Sequence, residues 1–211
     1  MSKRIVLAIT GASGAIYATR LLAALLQAEC EVHLTISPSG VAVIKQELGI
    51  DVSLSRFELR PLVEHKPSWS TREPWQLTDE TSERVQYHHY QDYMTPIASG
   101  SFLTSAMIVC PCSGSTLAGI ARAASSNLIQ RAAEVHLKEH RKLILVPRET
   151  PLSVFALENM HRLAAAGAIM LPAMPGWYHG VESLDSLVDF VVGRILDQAN
   201  VNNDMIRRWG E

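Results

Sequence analysis

The sequence predicts an α/β fold in which helices cover both faces of a mostly parallel sheet. Three observations carry that expectation. Short apolar runs, near residues 5–9, 32–36, 106–110 and 143–147, have the length and composition of strands buried on both faces. Turns of small and hydroxyl residues follow three of them: Gly11-Ala12-Ser13-Gly14, Ser37-Pro38-Ser39 and Ser113-Gly114-Ser115-Thr116. Between the runs, apolar residues recur at helical spacing, as at Ile16, Leu21, Leu22, Leu25 and Leu26, so each strand needs a helical crossover to reach the next. With 211 residues, 47% hydrophobic and 19% charged, the chain suffices for one domain, 1–211, with a full core.

In order, the pattern predicts a strand over 4–10, a helix over 15–28, a strand over 31–36 and a helix over 39–48. Residues 51–92, charged and interrupted by Pro61, Pro67 and Pro74, read as helical or irregular surface leading into a strand near 84–90. A flexible segment from Tyr93 to Ser101 suits a pocket lining or lid. A central strand over 106–110 and a turn over 111–116 follow, then a helix over 127–140 and a strand over 142–147. The strand stops at Arg148-Glu149-Thr150. A helix running from Pro151, in its first turn, to Ala166 ends at Gly167. A short strand over 168–171 opens into a Pro- and aromatic-rich loop that contains Tyr178, and a helix over 183–200, capped by Ser183 or Asp185, leads to a tail carrying Trp209.

The composition excludes several classes. A net charge of −2 gives no basic stripe for nucleic acid, and no run of apolar residues is long enough to span a membrane. The first apolar run breaks too early for a signal peptide, which points to a cytoplasmic protein. Cys30, Cys110 and Cys112 make no disulfide framework, and a lone Cys-Pro-Cys is a weak zinc site. His88 and His89, adjacent on a strand, would face opposite sides and could not share an ion. Asp185 and Asp189 lack a consecutive-aspartate magnesium pattern. Gly11 and Gly14 form only part of a dinucleotide fingerprint, with no third glycine and with Ser37-Pro38 where a ribose-binding acid would stand, so a nicotinamide cofactor is disfavoured.

What remains points to an anion. In open α/β sheets, ligands bind beyond the carboxyl ends of the strands, where helix N-termini present backbone N–H groups. One strand end offers Ser113, Gly114, Ser115 and Thr116, and the next offers Arg148 and Glu149. Ser13 reads either as a plain helix cap or as a phosphate contact. Glu47, near a helix C-terminus where the dipole disfavours it, needs a partner or a task. Arg131 and Lys138, two turns apart with Glu134 between them, read either as a solvated salt-bridge face or as a basic face for a phosphate.

Five stretches, GASGA, CPCSGSTLAGIA, NLIQRAAEVHLKE, LVPRETP and LPAMPGWYH, resemble in order those of the UbiX-type flavin prenyltransferases, and the resemblance spans residues 4 to about 209. It implies a Rossmann-like, flavodoxin-type three-layer sandwich, a dodecamer, and transfer of a dimethylallyl group from dimethylallyl monophosphate to reduced FMN. N5 is alkylated, ring closure at C6 follows, and a UbiD-type decarboxylase receives the prenylated FMN, often in ubiquinone synthesis. By position, the resemblance implies FMN contacts from Gly11, Ala12, Ser13, Ser37, Ser113, Gly114, Ser115, Thr116 and Arg148. It assigns the prenyl phosphate to Tyr178, Arg194, Lys138 and Arg131, acid–base chemistry to Glu149 and Glu47, and the prenyl pocket to Tyr93, where some members carry Trp. Trp209 would dock on a neighbouring subunit. Ala123 and Ser126 depart from the family's usual residues before the Asn127-Leu128-Ile129 stretch. A flavin-dependent cysteine decarboxylase of the same fold, or a non-catalytic flavin carrier, are the alternatives.

Overall fold

A computed structural model describes residues 2–178, 180–208 and 210. The elements run β1 (Arg4–Ile9), α1 (Ala15–Gln27), β2 (Glu31–Ile36), α2 (Pro38–Leu48), α3 (Arg60–Val63), α4 (Asp79–Ser82) and β3 (Val85–Tyr87). After a 3-10 turn at Pro96–Ala98 come β4 (Ala106–Cys112), α5 (Gly114–Ala121), α6 (Leu128–Lys138), β5 (Lys142–Pro147), α7 (Val154–Ala165), β6 (Ile169–Met170) and α8 (Leu184–Gln198). Six strands form one sheet in the order β3-β2-β1-β4-β5-β6, every pair parallel.

Alternation along the strands builds two cores. Ile5, Leu7, Ile9, Ile144 and Val146 face one side and pack with α1, α3 and α8, while Val6, Ala8, Leu143 and Leu145 face the other and pack with α5, α6 and Leu163 of α7. Leu21, Leu22 and Leu25 of α1 are fully buried, each contributing about 1.5–3 kcal/mol of transfer free energy. The result is the three-layer sandwich expected from the sequence.

Several boundaries differ from the expectation. β1 stops at Ile9, because the Thr10 hydroxyl and amide turn to β4. β4 continues through Pro111 to Cys112, past an irregularity in its pairing with β5, so Thr116 lies inside α5 rather than in a turn. α7 starts three residues after Pro151, capped by Ser153, and α8 is capped by Ser183 rather than Asp185. Local side-chain caps outweigh proline as start signals here. A strap formed by residues 70–72 is fastened to α8: Asp185 accepts from Ser70 and Thr71, and Asp189 from Arg72 and Arg20. Those two carboxylates are thus engaged by side chains and backbone.

Candidate active site

The strand order reverses between β1 and β4, and the crevice at such a switch point is where a parallel sheet binds ligands. A cavity of about 290 Å³ lies there, lined by Gly11, Ala12, Ser13, Ser113, Gly114, Arg148, Glu149 and Thr150. Thr10 fixes its floor. Its hydroxyl donates to Pro111 O (2.7 Å) and accepts from Ser113 N (2.8 Å), locking the end of β1 to the end of β4. Sequence reasoning passed over this residue, although a lone hydroxyl closing an apolar strand was the available signal.

From that floor the α5 N-terminus opens into the cleft. Ser113 caps it, accepting from Thr116 N (3.3 Å) and lying within hydrogen-bond distance of the Ser115 and Thr116 hydroxyls. A methyl group on Gly114 would meet only Glu149 Oε2, at 3.4 Å, which places the Glu149 carboxylate beside the first turn of α5. Arg148 donates from Nε to the Ser13 carbonyl (3.1 Å) and so bridges the β5 and β1 ends. Gly11 is required by close approach, since a Cβ there would sit 2.5 Å from Ser39 Cβ. Ser37 occupies the adjacent β2 turn, where it caps α2 through Gly40 N (3.0 Å), one loop away from the cavity wall.

Glu47 has a defined partner. Its carboxylate accepts from Gly14 N (2.9 Å) and Ala15 N (2.8 Å), capping the α1 N-terminus that Gly14, at φ 113°, leaves without a side-chain cap. The helix dipole that disfavours Glu47 at the end of α2 favours it at the start of α1. Cys110 and Cys112 are buried behind the cleft. Burial pushes the Cys112 thiol up to about 12 and raises Cys110 above its ordinary value, consistent with packing rather than reactivity.

The residues assigned to the prenyl phosphate divide between the two faces of the sheet, Lys138 and Arg131 on one and Arg194 and Tyr178 on the other. Lys138 ends α6, on the α5–α6–α7 side of the sheet, and pairs with Glu139 (2.7 Å) rather than Glu134. Arg131, in the first turn of the same helix, donates to Ala98 O (3.1 Å) and lies 3.5 Å from Glu134. Arg194 is on α8, across the sheet, at the rim of a 350 Å³ cavity walled by Ile169, Met170, Leu171 and Phe190. Tyr178 is 57% exposed, with its ring edge-on to Phe190. The Tyr93 hydroxyl donates to Ser125 O (3.0 Å). Trp209 lies outside the described residues.

The His88-His89 pair falls just past β3. His88 turns inward to within 2.8 Å of His33 Nδ1, and His89 packs on Tyr90, so the two rings point apart as expected, although not from within a strand. Among the described residues no group of three His, Cys, Asp or Glu side chains has metal-binding geometry.

Comparison with known proteins decides the family. A family model described as Flavoprotein matches residues 1–196. The flavin prenyltransferase UbiX of Pseudomonas aeruginosa is 46% identical over 209 residues, covering 99% of this chain and 95% of its own. That of Methanocaldococcus jannaschii is 41% identical, covering 98% of each. This chain belongs to the UbiX-type flavin prenyltransferase family. Among solved relatives, AnUbiX in complex with FMN and dimethylallyl pyrophosphate superposes with a TM-score of 0.83 at 36% identity, covering 100% of this chain and 99% of that one. A dodecameric FMN-dependent UbiX-like decarboxylase from Escherichia coli O157:H7 gives 0.80 at 36% identity, covering 99% and 100%. The peptidyl-cysteine decarboxylase EpiD, at 16% identity, covers 95% of this chain and 99% of its own with a TM-score of 0.55, and shares the fold alone.

The residues lining the switch-point cleft were legible because they sit at strand ends in small, hydroxyl-rich turns. Thr10 and Asp197, the carboxylate paired with Arg194 (2.9 Å), were missed because their roles depend on partners elsewhere in the fold.

Proposed function

We propose that the protein transfers a dimethylallyl group from dimethylallyl monophosphate to reduced FMN, making prenylated FMN for a UbiD-type decarboxylase in ubiquinone synthesis. The observation that carries this reading is the switch-point cleft, where a capped helix N-terminus, the Ser13 turn and Arg148 meet beside a carboxylate, Glu149. Backbone N–H groups, hydroxyls and a guanidinium at such a site fit a flavin phosphate. Reduced FMN, when bound there, supplies the nucleophilic ring nitrogen and the ring carbon at which closure occurs.

The chain's own residues do the rest. As the allylic C–O bond breaks, its electron pair leaves with the phosphate, and Lys138, Arg131, Arg194 and the Tyr178 hydroxyl stabilise that growing charge without a metal. Because Lys138 and Arg194 occupy opposite faces of one sheet, their convergence takes neighbouring copies, which supports a homo-oligomer such as a dodecamer with sites shared between subunits. At ring closure Glu149 would relay a proton, giving one to the allyl double bond and taking one from the ring carbon that bonds to it. Glu47, the second carboxylate of the acid–base pair, holds the turn at Gly14 and Ala15 that follows Ser13. Tyr93 lines the prenyl pocket from the loop after β3. We assign the reaction to the cytoplasm. The unpaired thiols of Cys30, Cys110 and Cys112 suit a reducing compartment, and no described helix is long and apolar enough to cross a membrane.

The test is mass spectrometry of the flavin after incubating the protein with reduced FMN and dimethylallyl monophosphate. The expected result is a flavin heavier by one prenyl unit, formed without any partner protein. An unchanged flavin together with decarboxylation of a cysteine-ended peptide would overturn the reading. In single-turnover spectra, Glu149→Gln is expected to slow ring closure more than donor binding, and normal product formation would remove Glu149 from that role.

A further inference from the structure

The C-terminal half of α8 carries a second arrangement, joined to the first only through Arg194. Asp197 Oδ2 accepts from Arg194 Nη1 (2.9 Å), while its other oxygen accepts from Arg208 Nη2 and Asn203 Nδ2, each at 3.1 Å. Asp197 is 15% exposed and Arg194 44%. The tail that brings Asn203 and Arg208 back over α8 does so at Gly193. A Cβ there would sit 3.2 Å from Asn203 Oδ1 and 3.4 Å from Ile206, so a small residue beside Arg194 admits the returning chain. Among the described residues Asp197 is the one hydrogen-bond partner of the Arg194 side chain, which leaves Nε and Nη2 of the guanidinium for a ligand at the rim of the 350 Å³ cavity.

We infer that Asp197 is a positioning residue for the donor phosphate: it grips one edge of Arg194, with the tail's Arg208 and Asn203 holding the carboxylate in place. This rests on the reading of Arg194 as a phosphate-binding residue. An unheld arginine carries large rotamer entropy, and fixing it before the ligand arrives removes that cost from binding. Asp197 engages Arg194 through one guanidinium nitrogen and shares its carboxylate with Arg208, so the remaining donor edge of Arg194 still presents its charge to a dianion. The Asp197–Arg208 contact also makes the tail part of the device, so removing the Arg208 side chain loosens Arg194 without touching it.

The experiment compares wild type, Asp197→Asn, Asp197→Glu and Arg208→Ala as full chains in the flavin prenylation assay, with FMN affinity measured separately by flavin fluorescence. Asp197→Asn is expected to raise KM for dimethylallyl monophosphate about five- to tenfold, the loss typical of one charge-assisted hydrogen bond, with kcat within about twofold. Asp197→Glu should recover part of that loss, Arg208→Ala should show a smaller rise in KM, and FMN affinity should not move. A KM that stays constant or falls in Asp197→Asn overturns the inference, as does a parallel loss of FMN affinity, which would report general damage. Wild-type protein that prenylates no flavin sinks the functional reading itself. Active wild type with an indifferent Asp197→Asn sinks the positioning role alone.

Discussion

Thr10→Val isolates the contact on which the floor of the cleft depends. The substitution keeps side-chain shape and puts a methyl group in place of the hydroxyl, at a residue 1% exposed. Pro111 O keeps a donor, because Thr10 N also reaches it at 3.2 Å, but Ser113 N–H is left buried with no acceptor. An orphaned buried donor costs about 1–3 kcal/mol and the second lost hydrogen bond about 1, giving roughly 2–4 kcal/mol in all. For a chain of this size each kcal/mol moves Tm by about 2–4 °C, so a fall of roughly 5–15 °C is expected. Thr10→Ser is the control: it keeps both hydrogen bonds and loses one methyl, about 1 kcal/mol. Thermal unfolding followed by circular dichroism at one fixed protein concentration reads the difference, since an assembly makes Tm concentration-dependent. FMN affinity should weaken in Thr10→Val, because the displaced residue is the cap of α5. A valine variant melting within about 2 °C of wild type, or a serine variant no better than the valine one, would refute the reasoning.

Two further outcomes follow from the same geometry. Glu47→Ala removes the acceptor for the first two amides of α1 and should cost about 1–2 kcal/mol at this exposed site, while Glu47→Gln, which keeps one acceptor oxygen, costs less. An alanine variant as stable as wild type in urea would show that the cap carries no weight. Burial holds His136 and His88 at about 4, the latter helped by the charge of His33, so between pH 4 and the ordinary histidine range the unfolded chain binds more protons than the folded one. Their stabilisation is therefore complete above about pH 6.5 and is lost as pH falls toward 4. Urea midpoints that do not drop from pH 7 to pH 5 would contradict it.

The sheet was legible because burial on both faces leaves little but apolar residues, and the carboxyl-edge turns because close backbone approach demands Gly and helix capping demands Ser. Strand β2 and strand β5 fall on the expected residues for that reason. What stayed hidden is pairwise and long-range. Glu47 is engaged by amides 33 and 32 positions away, and Arg72 reaches Asp189 across 117. Neither pair leaves a periodic trace. Lys138 shows the opposite failure: helical spacing offers Glu134, yet the side chain takes the adjacent Glu139, since spacing fixes which residues share a face and not which rotamer wins.

The same distinction bears on the assembly. Along β5, Leu143 and Leu145 pack toward α6 while Ile144 and Val146 pack toward α8, so the cations of these two helices are separated by the sheet, two layer spacings of roughly 10 Å each. Lys138 also stands just before Lys142 at the amino edge, and the six residues of β5 carry the chain about 20 Å to Arg148 at the carboxyl edge, so it lies a strand's length from the cleft of its own chain. A small dianion beside that cleft, held by both Lys138 and Arg194 from opposite faces of the sheet, therefore draws on at least two chains. Mixing Lys138→Ala subunits with Arg194→Ala subunits therefore gives a decisive comparison. If sites are shared, the mixed assembly contains some with both cations intact and recovers activity that neither variant shows alone, whereas sites confined to single chains would recover none.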